Sequence, residues 1–118
     1  MIDKTFAAQF VDGWIAAWNS HDLSRILSHY TEDFEMSSPI IVEMAGVPSG
    51  TLRGRATVGA YWAKALARFP DLRFEAVSTF VGVESITLHF TWERGHSAEV
   101  FLFGPHGKVV RAFAHHQG

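Results

Sequence analysis

Apolar residues recur at Phe6, Phe10, Trp14 and Trp18, with Val11 and Ile15 on an adjoining stripe, and that spacing predicts a helix from Asp3 to about Asn19 with a broad buried face. Asn19 and Ser20 end it, and Asp22 caps a second short helix from Leu23 to about His29 that turns Ile26, Leu27 and Tyr30 inward. Residues Asp33 to Ser38 read as a strand closed by Pro39, which removes a ladder donor and holds Ser38 extended, and Ile40 to Glu43 as a short second strand. Gly46, Pro48, Ser49 and Gly50 break any period between Met44 and Gly54, which predicts a loop. Val58, Tyr61, Trp62, Ala65, Leu66 and Phe69 restore the helical spacing, and Pro70 ends this third helix.

From Leu72 onward the pattern is β: strands from Leu72 to about Val81, Ser85 to Glu93, Ser97 to Phe103 and Lys108 to His116, joined by separators of hairpin length. Helices followed by an antiparallel meander define an α+β layout with the helices on one face of the sheet. On the strand 85–93, Ile86, Leu88, Phe90 and Trp92 make one face and Thr87, His89, Thr91 and Glu93 the other. On the strand 97–103 both faces are apolar, with Ala98, Val100 and Leu102 opposing Phe101 and Phe103. The outer face therefore calls for a cover, and a second copy of the chain supplies it, giving a homodimer through the backs of two sheets.

Within that apolar strand stands Glu99, and a carboxylate there requires a partner, hydrogen bonds or a proton. Arg94 or Arg111 could pair it; alternatively it lines a pocket as a neutral acid. The 118 residues, 47% hydrophobic, suffice for one core without staples, and the absence of cysteine excludes disulfides and thiolate chemistry. A net charge of -2 with scattered basic residues carries no footprint for nucleic acid. No segment is apolar for long enough to span a membrane, and a cytoplasmic protein is the expectation. Ten Phe and four Trp exceed what a small core needs for volume and suit a cavity wall or an interface. The seven histidines show no metal-ligand spacing, and neither a phosphate-binding glycine motif nor a nucleophile–base pair is present, so no metal or cofactor is expected.

The motifs Trp18-Asn19-Ser20-His21-Asp22-Leu23 at the helix junction, Tyr30-Thr31-Glu32-Asp33-Phe34 entering the first strand, Ser38-Pro39 at its end, Leu52-Arg53-Gly54-Arg55 before the third helix and Gly107-Lys108-Val109-Val110-Arg111 opening the last strand occur in an order that resembles the nuclear transport factor 2-like superfamily. That superfamily includes SnoaL-like polyketide cyclases and ketosteroid isomerases, and the resemblance spans nearly the whole chain. It implies one domain over 1–118 with a cystatin-like cone: three N-terminal helices on a curved antiparallel sheet of about four to six strands, enclosing a pocket. In ketosteroid isomerases a base carboxylate precedes the proline ending the first strand, where this chain has Ser38, and a tyrosine of the first helix donates a hydrogen bond, where it has Trp14. Their second acid, kept protonated to stabilise an oxyanion, corresponds to Glu99.

The resemblance thus implies a pocket for a small apolar molecule, with Glu99 as acid or oxyanion donor and Trp14 as an orienting donor. If the last strand follows the superfamily register, Val110, Ala112, Ala114 and His116 face the cone, and His116 is either a base to Glu99 or a histidine in solvent. Tyr30, Phe34, Met36, Ser38, Trp62, Phe80, Phe90 and Phe101 are the expected wall. Three functional readings follow: a cofactor-free isomerase, cyclase or hydratase acting on an apolar carbonyl compound, a non-catalytic binder of such a molecule, or a dimerisation module with a filled cone.

Overall fold

The computed structural model describes residues 1–118 and contains four α-helices and six strands. In chain order these are α1 (Lys4–Ser20), α2 (Leu23–Leu27), β1 (Tyr30–Ser37), α3 (Pro39–Ala45), β2 (Thr51–Arg53), α4 (Arg55–Arg68), β3 (Glu75–Val81), β4 (Ser85–Trp92), β5 (Gly95–Phe103) and β6 (Val109–His116). A short 3-10 turn, Pro105–Gly107, joins the last two strands. The α+β architecture is the one expected, with two local corrections. Ile40 to Glu43 is helical and not a strand, because Ser38 accepts a hydrogen bond from the Ile40 amide at 3.1 Å and Pro39 takes the first helical position, where its missing N–H costs nothing. The expected loop 44–54 also contains β2, an edge strand antiparallel to β1.

The sheet order is β2-β1-β6-β5-β4-β3. It is mixed, since β1 lies parallel to β6, while every other pairing is antiparallel. This parallel pair closes the meander onto the N-terminal half of the chain and brings Met36 level with Ala112. The helices cover the concave face, and one continuous core joins Phe10, Trp14 and Trp18 of α1, Trp62 of α4 and the inward residues of the sheet.

Asp3 caps α1 by accepting from the Phe6 amide at 2.7 Å, and His21 ends it in the left-handed region at φ 59°. Beyond ending the helix, this junction fastens the start of the β half. Asn19 donates to the Phe74 carbonyl at 3.0 Å and accepts from the Phe74 amide at 2.7 Å, while a His21 ring nitrogen meets the Leu72 carbonyl at 2.8 Å. Leu72 and Phe74 are thereby pressed into the core beside Trp18.

Two irregularities decide which side chains face inward. In β3 the pairing with β4 runs from Ala76↔Phe90 to Ser78↔His89, so Val77 is an extra residue. A bulge of this kind reverses every side chain beyond it. Phe80, expected in the pocket wall, consequently pairs with Thr87 on the outer face and is 62% exposed. Near the start of β6 the pairing passes from Phe103↔Val109 to Leu102↔Arg111, so the extra residue is Val110. The inward residue there is Val109, fully buried, and not Val110 as expected. From Ala112 onward the expected register holds, with Ala112, Ala114 and His116 on the concave side.

Candidate functional site

The inward residues of β5 are Ser97, Glu99, Phe101 and Phe103, all buried, while Ala98, Val100 and Leu102 are half-buried on the outer face. Glu99 lies between Leu88 of β4 and Ala114 of β6, so its strand neighbours on either side are apolar. Neither arginine considered for it is a partner. Arg94 pairs with Glu43 at 3.5 Å, and Arg111 sits over the Phe113 ring at 5.1 Å. The Glu99 carboxyl makes no hydrogen bond and no ion pair, is 5% exposed, and opens into a cavity of about 60 Å³. Burial alone pushes its pKa up to about 8, so the group is largely a neutral acid at pH 7.

The cavity lies between the concave sheet and helices α1, α3 and α4. Of the residues expected at the site, Trp14, Met36, Ser38, Trp62, Phe90, Glu99 and His116 line it. Tyr30, Phe34 and Phe101 do not; they are buried beneath it, Tyr30 with Phe34 at a ring separation of 4.4 Å and Phe101 against Trp14 at 5.2 Å. Phe80 is outside it, as the β3 bulge requires.

Trp14 contributes its ring but not its donor. The indole N–H is engaged by the Tyr30 hydroxyl at 2.9 Å in a fully buried bond, so it is not free to orient a ligand. Tyr30 in turn is pushed well above the ordinary phenol value, first by burial and then by the Glu99 carboxylate. Tyr61 is raised to about 12, mainly by burial, with the Ser38 hydroxyl opposing and Glu99 adding to the rise. Both phenols stay protonated at neutral pH.

His116 is not a solvent histidine. It sits across from Ser97 and diagonal to Glu99 on the same face, a spacing of about 7–8 Å between backbones that one small molecule can bridge. Its Nδ1 lies 2.8 Å from the Ser97 hydroxyl, and its Nε2 is buried without a partner. Burial, then the nearby Arg94 guanidinium, lowers its pKa. Ala114 leaves space beside it, as the small residues of the last strand suggested.

Several cavity residues lay outside the sequence reading. Trp18 lines the cavity, and its indole N–H has no acceptor within the protein. Trp92 donates to Ser97 at 3.0 Å. Phe69 separates the cavity from a polar outer cleft lined by Glu43, Met44, Arg68 and Arg94. Periodicity marked Trp18 and Phe69 as buried; only their tertiary neighbours distinguish a wall from core. On the outer face His89 and His96 meet through ring nitrogens 2.7 Å apart, remote in role from Glu99.

The SnoaL-like domain family model matches residues 11–116. A SnoaL-like protein of unknown function from Burkholderia thailandensis E264 is 54% identical, with 99% of this chain and 98% of that chain covered and a TM-score of 0.95. TerC, crystallised with polyporic acid, is 17% identical over 95% of this chain and 92% of its own, with a TM-score of 0.78. SalBIII, an epoxide hydrolase/cyclase-like enzyme with a role in pyran ring formation in the polyether salinomycin, is 17% identical over 99% and 95%, with a TM-score of 0.79. The last two likenesses show the fold alone. No curated protein matches the sequence.

Proposed function

The chain belongs to the SnoaL-like domain family, and on that premise we propose that it takes the carbonyl end of a small apolar molecule into the Glu99 cavity and acts on it by cofactor-free acid–base chemistry, as an isomerase, cyclase or hydratase. The observation that carries this reading is the Glu99 carboxyl itself: buried, unpaired, without a hydrogen bond, and open to a cavity lined mostly by aromatic and aliphatic side chains. An uncompensated buried carboxyl costs stability, and such groups concentrate where chemistry is done. With its pKa near 8 the carboxyl can give a proton to a carbonyl oxygen and, once ionised, take one back near neutral pH. The volume limits the substrate. An engineered apolar cavity of about 150 Å³ holds benzene, and at about 60 Å³ this cavity takes in the carbonyl head of a molecule and not a sterol.

The test is exchange of the α-protons of small ketones for deuterium, followed by proton NMR with wild type and Glu99→Gln. Exchange above buffer that disappears in Glu99→Gln supports the enzyme; exchange that persists in the variant rejects Glu99 as the proton carrier. Binding without exchange leaves the alternative, a non-catalytic carrier using the same pocket.

The reading extends to a cytoplasmic homodimer packed through the outer sheet face. The support for the dimer is a row across that face in which Phe80, Val100 and Phe113 are apolar and Thr87 stands between the first two, at consecutive paired positions of β3 to β6. Sedimentation equilibrium should give a dimer for wild type and a monomer for Val100→Asp.

A further inference from the structure

Three histidines that share no spacing along the chain meet on the outer face of the sheet. Ala98 of β5 pairs with His89 of β4 on one side and with His115 of β6 on the other, and His96 stands two residues before Ala98 on the same face. In a pleated sheet the diagonal backbone separations, His96 to His89 and His96 to His115, are about 7–8 Å, and His89 to His115, two strand spacings apart, is about 10 Å. Inside this triangle the Ala98 methyl fills little space, and the three histidines line one hollow with it. Two of the rings already converge: His89 Nε2 lies 2.7 Å from His96 Nδ1. A contact that short between ring nitrogens holds one hydrogen, donated by one ring and accepted by the other. His115 is exposed, so its side chain turns freely in solvent.

We propose that His89, His96 and His115 form a binding site for a divalent cation of the zinc class, held by His89 through Nε2 and by His96 through Nδ1, with water in the fourth position. Three imidazoles and one open position are a ligand set that suits Zn²⁺. At Zn–N distances of about 2.0–2.1 Å, two ligand nitrogens of a tetrahedral centre stand about 3.3 Å apart, so the 2.7 Å contact opens by about 0.6 Å as both lone pairs turn to the ion. The hydrogen between the rings moves to the far nitrogen of the ring that carried it. His115 then rotates in as the third ligand; before that rotation no three ligating groups converge. The hollow is on the face of the sheet opposite Glu99, so this site and the carbonyl reading of the cavity stand or fall separately.

Two measurements test it. Titration calorimetry of Zn²⁺ into chelator-treated protein at neutral pH should give one ion per chain. His96→Gln and His115→Gln should each weaken binding at least about tenfold, whereas His106→Gln, in the turn between β5 and β6, should leave it unchanged. Long-range proton–nitrogen NMR of the Zn²⁺-loaded wild type, which needs no variant to fold, should show His89 without hydrogen at Nε2 and His96 without hydrogen at Nδ1. A hydrogen retained at either nitrogen overturns the proposal. So does absence of uptake, uptake that His115→Gln leaves unchanged, or Zn²⁺-induced shifts confined to other histidines. One ion per two chains overturns a site contained within one chain.

Discussion

Replacing Glu99 with Gln keeps the shape of the side chain and removes its titration, which makes stability against pH a direct readout of the buried carboxyl. In the unfolded chain the group loses its proton near 4.5, whereas in the folded chain burial holds the proton until about pH 8. Between those values the folded state binds one more proton than the unfolded state, so stability falls as pH rises. The contribution is fully present below pH 4.5 and is lost progressively until the folded carboxyl ionises. At roughly 1.4 kcal/mol per pH unit, the interval from 4.5 to about 8 amounts to about 5 kcal/mol.

The assay is urea unfolding of wild type and Glu99→Gln at intervals from pH 4 to 9, followed by tryptophan fluorescence and extrapolated to water. The difference between the two proteins isolates Glu99, because the other titrating groups are common to both. Wild type should lose stability relative to the variant across this window, and the gap should level off above pH 8. Parallel curves, or a wild type that gains on the variant as pH rises, would mean that the carboxylate is solvated or paired in the folded protein, and the argument for a neutral acid in the cavity would fail.

Trp14→Phe removes the buried donor to Tyr30 and should cost about 1–3 kcal/mol in urea unfolding. Ser38→Ala removes the α3 cap and should cost about 0.5–2 kcal/mol, measured in the same way. Gly50 has φ +68°, and an added Cβ would come within 3.3 Å of the Ser38 carbonyl oxygen, so Gly50→Ala should cost at least about 1 kcal/mol. Phe80→Ser should leave ligand binding unchanged, since the side chain is on the outer face; loss of binding would place it back in the wall.

Local pattern determined much of this protein. The four-residue recurrence from Phe6 to Trp18 admits only a helix buried on one side, and the alternation along β4 separates an inner from an outer face wherever the strand happens to pair. Glu99 stood out for a local reason too, a charge in an apolar run. The Ser-Pro pair at 38–39 carried a helix start as well as a strand end, and the signal was present although the strand reading of 40–43 passed over it. What the chain pattern could not decide is which strand lies beside which, and with what slip. The bulge at Val77 turns Phe80 outward, the one at Val110 brings Val109 in, and the parallel pairing of β1 with β6 joins segments some eighty residues apart. The chemistry of the cavity depends on such pairings. Trp14 loses its donor to Tyr30, Ser97 engages His116, and Trp18 keeps an N–H without an acceptor, because a hydrogen bond is made to whatever the fold brings within 3 Å. Periodicity specifies the face a residue occupies; only the tertiary structure specifies the atoms that meet it there.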